Sequence, residues 1–147
     1  MPKKFPYRLS RTAVDIRAYL GRARALMDRC YDHPLDLQQL STHASFSRYH
    51  FIRLFRKTYK RTPHQYLMQK RVEKARELLA TTELSVTEVC FRVGFQSLGS
   101  FSALFHRLVG QPPTEYRARM LDRRRYPHRY IPACFLTMCG IRRPPGS

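Results

Sequence analysis

The sequence predicts an all-α fold in which two helix-turn-helix units are joined by a long helix. Two short helical patterns separated by a tight turn lie between Ser85 and Tyr116. The same arrangement occurs once earlier in the chain, and a longer amphipathic stretch connects the two copies. Apolar residues recur at helical spacing in all three stretches, which predicts helices.

The first helix of the later unit begins at a capping box. Ser85 can accept the amide hydrogen of Glu88, and the Glu88 carboxylate can reach back to the amide of Ser85. Apolar residues follow at the spacing of one helical face: Val86, Val89, Cys90 and Val93. Gly94 comes directly after them, where glycine can end a helix in the left-handed conformation without a steric penalty.

A second helix is predicted from about Ser97 to residue 109. Its apolar set comprises Leu98, Phe101, Leu104, Phe105 and Leu108. Two short helices joined by a turn that contains glycine form a helix-turn-helix, whose second helix can enter the major groove of DNA.

This unit occurs twice in the chain. At an offset of 49 residues, Leu84, Val86, Val89 and Phe95 pair with Leu35, Leu37, Leu40 and Phe46. One extra residue in the later turn makes the offset 50, which pairs Phe101, Leu104, Phe105, Pro113 and Tyr116 with Phe51, Leu54, Phe55, Pro63 and Tyr66. Core positions recur whereas polar positions differ. This is expected when one packing arrangement carries two different outward surfaces.

The first lobe covers residues 12–61 and begins with a bracing helix. Apolar residues at helical spacing run from about Thr12 to Tyr31. Asp36 with Gln39 then resembles a capping box for a short helix over 37–44.

The first recognition helix is predicted from Arg48 to about Tyr59, after a turn at 45–47. Phe51, Leu54 and Phe55 face inward in this prediction. The residues left for solvent or DNA are Arg48, Tyr49, Ile52, Arg53, Arg56 and Lys57. A solvated basic face would look the same in the sequence, but its place in a second helix favours contact with DNA.

The connecting helix covers residues 62–81. Thr62 and Gln65 form a capping box, and Pro63 suits the first helical turn. The stripe continues to Ala80, which makes a rod of roughly 27 Å at ~1.5 Å per residue. Recognition helices held that far apart could occupy successive major grooves of B-DNA, where one turn is ~34 Å. The expected site is asymmetric, because the two reading surfaces differ.

The second lobe covers residues 82–125 and ends in a helix that begins at Pro112-Pro113. Arginines gather toward the end of this helix, as the helix dipole favours. Prolines recur in the tail 126–147, for which irregular structure is predicted. The apolar run 131–139 could either pack on the body or contact a partner.

The net charge is strongly positive, at +18 from 28 Lys and Arg against 10 Asp and Glu. Such an excess destabilises a compact monomer by self-repulsion, which favours a polyanionic partner over a role in solubility alone. Residues 1–11 form a basic arm that is either solvated or placed on phosphates or in the minor groove. No apolar run is long enough for a membrane span and no signal-peptide core is present, so a cytoplasmic, nucleoid-associated protein is expected.

The cysteines and histidines do not form a metal-binding pattern. Cys30 and Cys90 lie on predicted apolar helix faces, where a free thiol behaves as a small hydrophobic group. Cys134 and Cys139 lie in the tail, where a redox or metal role stays open. The six histidines show no pair at ligand spacing with a carboxylate nearby. No catalytic residue, metal or cofactor is therefore expected.

The sequence resembles the DNA-binding domain of the AraC/XylS transcription regulators. The resemblance covers about Val14 to Arg117 and is most specific in GFQSLGSFSALFHRLVGQPPTEYR, with support from TPHQYLMQKRVEKARELL. It implies a seven-helix fold with two homeodomain-like lobes, binding to promoter DNA and contact with RNA polymerase. The longer members carry a separate ligand-binding domain, for which this chain has no room. The chain is expected either to act alone, as a monomer on DNA, or to be the DNA-binding part of an effector-responsive regulator; activation and repression both stay open.

The same resemblance implies which residues read DNA. In the first unit the base-reading residues fall on Tyr49, Ile52 and Arg53, and in the second on Leu98, Gly99, Ser102 and Ala103. Arg53 is the best candidate for a bidentate contact with guanine. Phosphate contacts are expected from Arg48, Arg56, Lys57, Ser100 and Arg107.

The second unit departs from the family pattern, because it has small or apolar groups where other members carry long hydrogen-bonding side chains. Gly99 and Ala103 can only permit close approach or touch a thymine methyl group. We therefore expect this unit to position the protein more than it reads sequence, with Arg107 and the helix N terminus on phosphates.

Two other functional classes compete with DNA binding. An enzyme would need a clustered base, nucleophile or ligand set, which the sequence does not contain. A cationic interaction module or membrane-active protein would use the basic tail. Specific DNA binding should survive competitor DNA, whereas charge-driven adhesion should not.

Overall fold

The computed structural model describes residues 13–43 and 47–127, which form seven helices and no strand. These are α1 (Ala13–Arg29), α2 (Leu37–His43), α3 (Arg48–Tyr59), α4 (Pro63–Thr81), α5 (Val86–Arg92), α6 (Leu98–Val109) and α7 (Pro113–Arg125). The predicted all-α, seven-helix fold is confirmed, with helix ends within about two residues of the expected bounds. The basic arm, Phe46 and the tail beyond Pro127, with Cys134 and Cys139, lie outside the described residues.

The chain divides into two compact units within α4, between Arg71 and Val72. The first unit contains α1, α2, α3 and the N-terminal half of α4. The second contains the remainder of α4 with α5, α6 and α7. Among the described residues, no helix is both long enough and apolar enough to cross a membrane.

The core of the first unit is built from the inward faces of its helices. Leu20 and Met27 of α1 and Phe51 and Phe55 of α3 are fully buried. They pack in one cluster with Leu67 of α4 and Leu40 of α2. The apolar stripes predicted for α1 and α3 are therefore confirmed as core-facing. Burying each of these side chains contributes about 1.5–3 kcal/mol.

Aromatic packing is the same in both units, as the repeat predicts. In the first unit the ring centroids of Phe51 and Phe55 are 5.7 Å apart, and those of Phe55 and Tyr66 are 5.8 Å apart with planes at 72°. In the second unit the distances for Phe101–Phe105 and Phe105–Tyr116 are 5.6 and 5.5 Å, the latter at 70°. Such edge-to-face pairs add about 0.5–1.5 kcal/mol to the gain from buried area. The shared geometry accounts for the aromatic identities that recur at an offset of 50 residues.

Two of the three predicted capping boxes are confirmed. The amide of Glu88 donates to Ser85 Oγ at 3.2 Å, and the amide of Ser85 donates to Glu88 Oε2 at 2.7 Å. These hydrogen bonds hold the pKa of Glu88 below its ordinary value. Thr62 and Gln65 make the same reciprocal pair at 3.2 and 3.0 Å. At α2, Asp36 Oδ1 accepts the amide of Gln38 at 3.1 Å, so this cap is made one residue earlier than expected.

Arginine side chains attach α4 to the other helices of each unit. In the first unit the buried Arg71 donates to the carbonyl oxygens of Tyr31 at 2.6 Å and His33 at 2.9 Å. Burial lowers the pKa of this guanidinium group. In the second unit Arg124 of α7 donates to the carbonyl oxygen of Thr81 at 2.8 Å. Thr81 is the last residue of α4, so Arg124 binds a carbonyl that has no partner within the helix.

Two leucines of the apolar set of α6 are exposed. Leu98 is 40% exposed and Leu108 is 48% exposed, whereas Phe101 and Phe105 of the same apolar set are fully buried. Both leucines lie in the terminal turns of α6, beyond the part of its inner face that the two phenylalanines bury against the unit.

Candidate nucleic-acid interface

Helix α3 is held by defined caps and by its two buried phenylalanines. Ser47 is the N-cap in an extended conformation, and its side chain accepts the amide of His50 at 3.3 Å. At the other end, Lys60 adopts the left-handed conformation with φ of 60°, and its amide donates to the carbonyl of Arg56 at 2.9 Å. Phe51 and Phe55 fix the rotation of the helix, because their burial sets which face points outward.

The predicted site residues of the first unit lie together on the outward face of α3. Tyr49 is 73% exposed, Arg53 is exposed one turn later, and Ile52 is half-buried beside them. The predicted phosphate-contacting residues on this helix, Arg48, Arg56 and Lys57, are also exposed. Helix α3 therefore presents four cations and one tyrosine to solvent, and its sequence contains no Asp or Glu.

Helix α6 is built in the same way. The N-cap Ser97 accepts the amide of Ser100 at 3.3 Å. The C-cap Gly110 has φ of 87°, and its amide donates to the carbonyl of His106 at 2.8 Å. Both α3 and α6 contain 12 residues. Lys60 and Gly110 occupy equivalent positions, so the same left-handed cap is made by different residue types.

The exposure of α6 matches that of α3 at each position from 51–60 and 101–110. Ala103 is exposed like Arg53, and Ser102 is half-buried like Ile52. Leu98, Gly99 and Arg107 are also exposed, so all predicted site residues of the second unit lie along one side of α6 or at its edges. The chemistry differs from that of α3, because Arg107 is the one Lys or Arg in α6.

Two details of α6 bear on the predicted contacts. Ser100 Oγ lies 2.9 Å from Ser97 Oγ, so the hydroxyl that was expected to reach a phosphate already has a partner in the N-cap. A Cβ atom added at Gly99 would meet nothing within 4 Å, so the helix surface is open at that point. Sequence reasoning missed the partner of Ser100, whereas close approach at Gly99 was expected. His106 is a further exposed residue of α6, at the position of Arg56.

Among the described residues, no group of three or more His, Cys, Asp or Glu side chains could hold a metal ion. Cys90 is buried, and burial raises the pKa of its thiol, as expected for a packed cysteine.

Comparison with known proteins identifies relatives of this arrangement. A family model described as a helix-turn-helix domain matches residues 40–119, which is more than half of the chain. The HTH-type transcriptional regulator GbdR of Pseudomonas aeruginosa is 36% identical over 93 residues, covering 63% of this chain and 25% of GbdR. The chain thus spans about a quarter of the length of that relative.

Solved structures agree with the sequence comparison. The DNA-binding domain of AdpA, a global transcriptional factor solved in complex with a target DNA, superposes with a TM-score of 0.67 at 35% identity, covering 74% of this chain and 96% of that one. An AraC-type regulator from Chromobacterium violaceum gives a TM-score of 0.66 at 28% identity, over 71% and 93% of the two chains. With its duplicated helix-turn-helix, this chain belongs to the AraC/XylS family of transcription regulators, and the matched region is the DNA-binding domain of that family.

Proposed function

We propose that the chain regulates transcription by inserting α3 and α6 into successive major grooves of an asymmetric promoter site. One observation carries the proposal: the two helices have matching caps, lengths and exposure but different outward side chains. Helices with matching caps and lengths can enter the major groove in the same way, and their different outward side chains can recognise two different half-sites.

In this proposal the first unit supplies most of the direct reading. Tyr49, Ile52 and Arg53 contact base edges, and Arg53 makes a bidentate contact with guanine O6 and N7. Arg48, Arg56 and Lys57 contact phosphates and hold the helix in register. In the second unit Leu98, Gly99, Ser102 and Ala103 lie against the bases, while Arg107 and Ser100 lie toward phosphates.

Further parts of the proposal rest on the family relationship. The protein binds its site as a monomer, since one chain carries both reading helices, and it contacts RNA polymerase at the promoter. It acts in the cytoplasm and has no enzymatic activity. The charge of +18 supports binding to a polyanion, because each Lys or Arg placed on a phosphate releases counterions and raises affinity at low salt.

Selection of bound sequences from a random DNA pool tests the proposal. With excess unspecific competitor DNA present, we expect enrichment of an asymmetric site whose two unlike elements lie about one helical turn apart, ~34 Å. A palindromic site would contradict the model of one chain with two different readers. Loss of all sequence selectivity in the presence of competitor DNA would mean that the protein is a cationic module that binds polyanions through its charge alone.

Arg53→Ala tests the assignment within the first unit. We expect a loss of ~1–3 kcal/mol on the selected site and relaxed preference at one base position. Arg17→Ala is the matched control, because Arg17 is an exposed arginine on α1 and its removal changes the net charge equally. Equal weakening by Arg53→Ala on every sequence would instead place Arg53 on a phosphate.

A further inference from the structure

We infer that α6 recognises its half-site through thymine methyl groups, with Leu98 and Ala103 as the apolar contacts and Gly99 allowing close approach. This inference rests on the DNA-binding function proposed above and names the chemical group that the second reading helix selects. The second unit then recognises base identity through apolar contacts and does not only position the protein on DNA.

The first support is the exposure of Leu98. This leucine belongs to the apolar set of α6, yet 40% of it is exposed at the first residue of the helix, where Ser97 is the N-cap. When an apolar group covers the exposed part of a leucine side chain, apolar surface is removed from water and the free energy of the complex falls. The C5-methyl of thymine is the apolar group that base pairs display in the major groove.

The second support is that the hydroxyl groups near the start of α6 are either hydrogen-bonded or half-buried. The Ser100 hydroxyl lies 2.9 Å from Ser97 Oγ within the N-cap, and Ser102 is half-buried. The other exposed residues in the first two turns of α6 are Leu98, Gly99 and Ala103, whose side chains are apolar or absent. Such a surface offers no long donor for guanine and suits methyl groups.

The third support is the open surface at Gly99. Because a Cβ atom there would meet nothing within 4 Å, no part of the second unit shields the α6 backbone at this point. A groove wall or base edge can approach the helix closely, and short side chains such as Ala103 then reach the bases. DNA as the ligand is indicated independently by the likeness to the AdpA domain, which was solved with its target DNA.

Replacing thymidine by deoxyuridine removes the 5-methyl group and nothing else, so it tests the inference directly. Each thymine of the selected site is replaced in turn, and binding is measured by fluorescence anisotropy. We expect one or two thymines in one half-site to show roughly fourfold weaker binding after replacement, the effect of one buried methyl group. The remaining thymines should show no change.

Leu98→Ala assigns the effect to α6. This variant should bind the thymine and deoxyuridine forms of one sensitive position equally well. Leu108→Ala is the matched control, because Leu108 is the other exposed leucine of α6 and lies in its last turn. It should keep the fourfold discrimination. Circular dichroism and thermal melting of both variants separate loss of contact from loss of fold.

The outcomes distinguish this inference from the function on which it rests. Specific binding that is insensitive to deoxyuridine at every thymine would overturn methyl recognition and leave the DNA-binding function standing. Discrimination that persists in a folded Leu98→Ala protein would overturn the role of Leu98. Failure to select any DNA sequence would overturn both the proposed function and the inference.

Discussion

Ala103→Arg should convert the second reading helix to the chemistry of the first. Ala103 is exposed and occupies the position in α6 that Arg53 occupies in α3. Alanine and arginine both favour helices, so the free energy of unfolding should change by less than about 0.5 kcal/mol. A bidentate arginine–guanine contact discriminates by about 1–3 kcal/mol, or roughly fivefold to 150-fold in affinity. The selected site should therefore gain a guanine at one position of the α6 half-site.

Selection from a random pool, followed by anisotropy titration on the old and new sites, measures this gain. Ala118→Arg is the matched control, because Ala118 is an exposed alanine of α7 and the variant carries the same added charge. It should strengthen binding weakly and equally on all sequences. Should Ala103→Arg behave like Ala118→Arg, residue 103 faces phosphates and the assignment by repeat is wrong. A marked loss of stability would mean that position 103 is not open to solvent.

The left-handed caps of α3 and α6 can be tested as a pair by urea denaturation. Gly110→Ala should lower the free energy of unfolding by about 1 kcal/mol, whereas Lys60→Gly should leave it unchanged or raise it by up to ~1 kcal/mol. Phe105→Ala should cost about 3–5 kcal/mol in the same assay, because it removes a fully buried ring that packs on two others. Glu88 has a lowered pKa in the folded state, so its contribution to stability is present above its ordinary pKa of 4.5 and is lost as the pH falls through the lower folded value. Wild type should therefore lose more stability than Glu88→Gln between neutral pH and pH near 3 in parallel denaturations, and equal losses would contradict the role of this carboxylate.

The helices could be predicted from the sequence because local chemistry determines them. Ser85 with Glu88 and Thr62 with Gln65 form caps from residues three positions apart, and both caps have the expected geometry. Gly94 adopts the left-handed conformation expected at the end of the first helix of a helix-turn-helix, with φ of 92°. The repeat extends these predictions from one unit to the other, because the recurring aromatic residues pack against equivalent neighbours.

The long-range contacts could not be predicted, because no local pattern marks them. Arg71 binds carbonyl groups about 40 residues away along the chain, and Arg124 binds Thr81 across a similar separation. In the sequence the α7 arginines were explained by the helix dipole, whereas Arg124 also supplies a donor to the end of α4. Leu98 and Leu108 show a related limit, because both belong to the apolar set of α6 and both are exposed. Helical periodicity assigns a residue to a face, but only the neighbouring helices decide how far that face is covered.

The difference between the two outward surfaces has a consequence for how the proposed function would work. Two identical reading helices on one chain would accept a repeated site, and each half-site would fit either unit. A cationic α3 carrying Arg53 and an apolar start of α6 carrying Leu98 favour unlike base pairs, so reversing the protein on the site would lose both sets of contacts. Each lost base contact costs about 1–3 kcal/mol, and two such losses would make the reversed complex rare. The protein would then bind its promoter in one orientation. The proposed contact of a monomer with RNA polymerase would require one fixed orientation, whereas a symmetric dimer would present the same surface in both orientations.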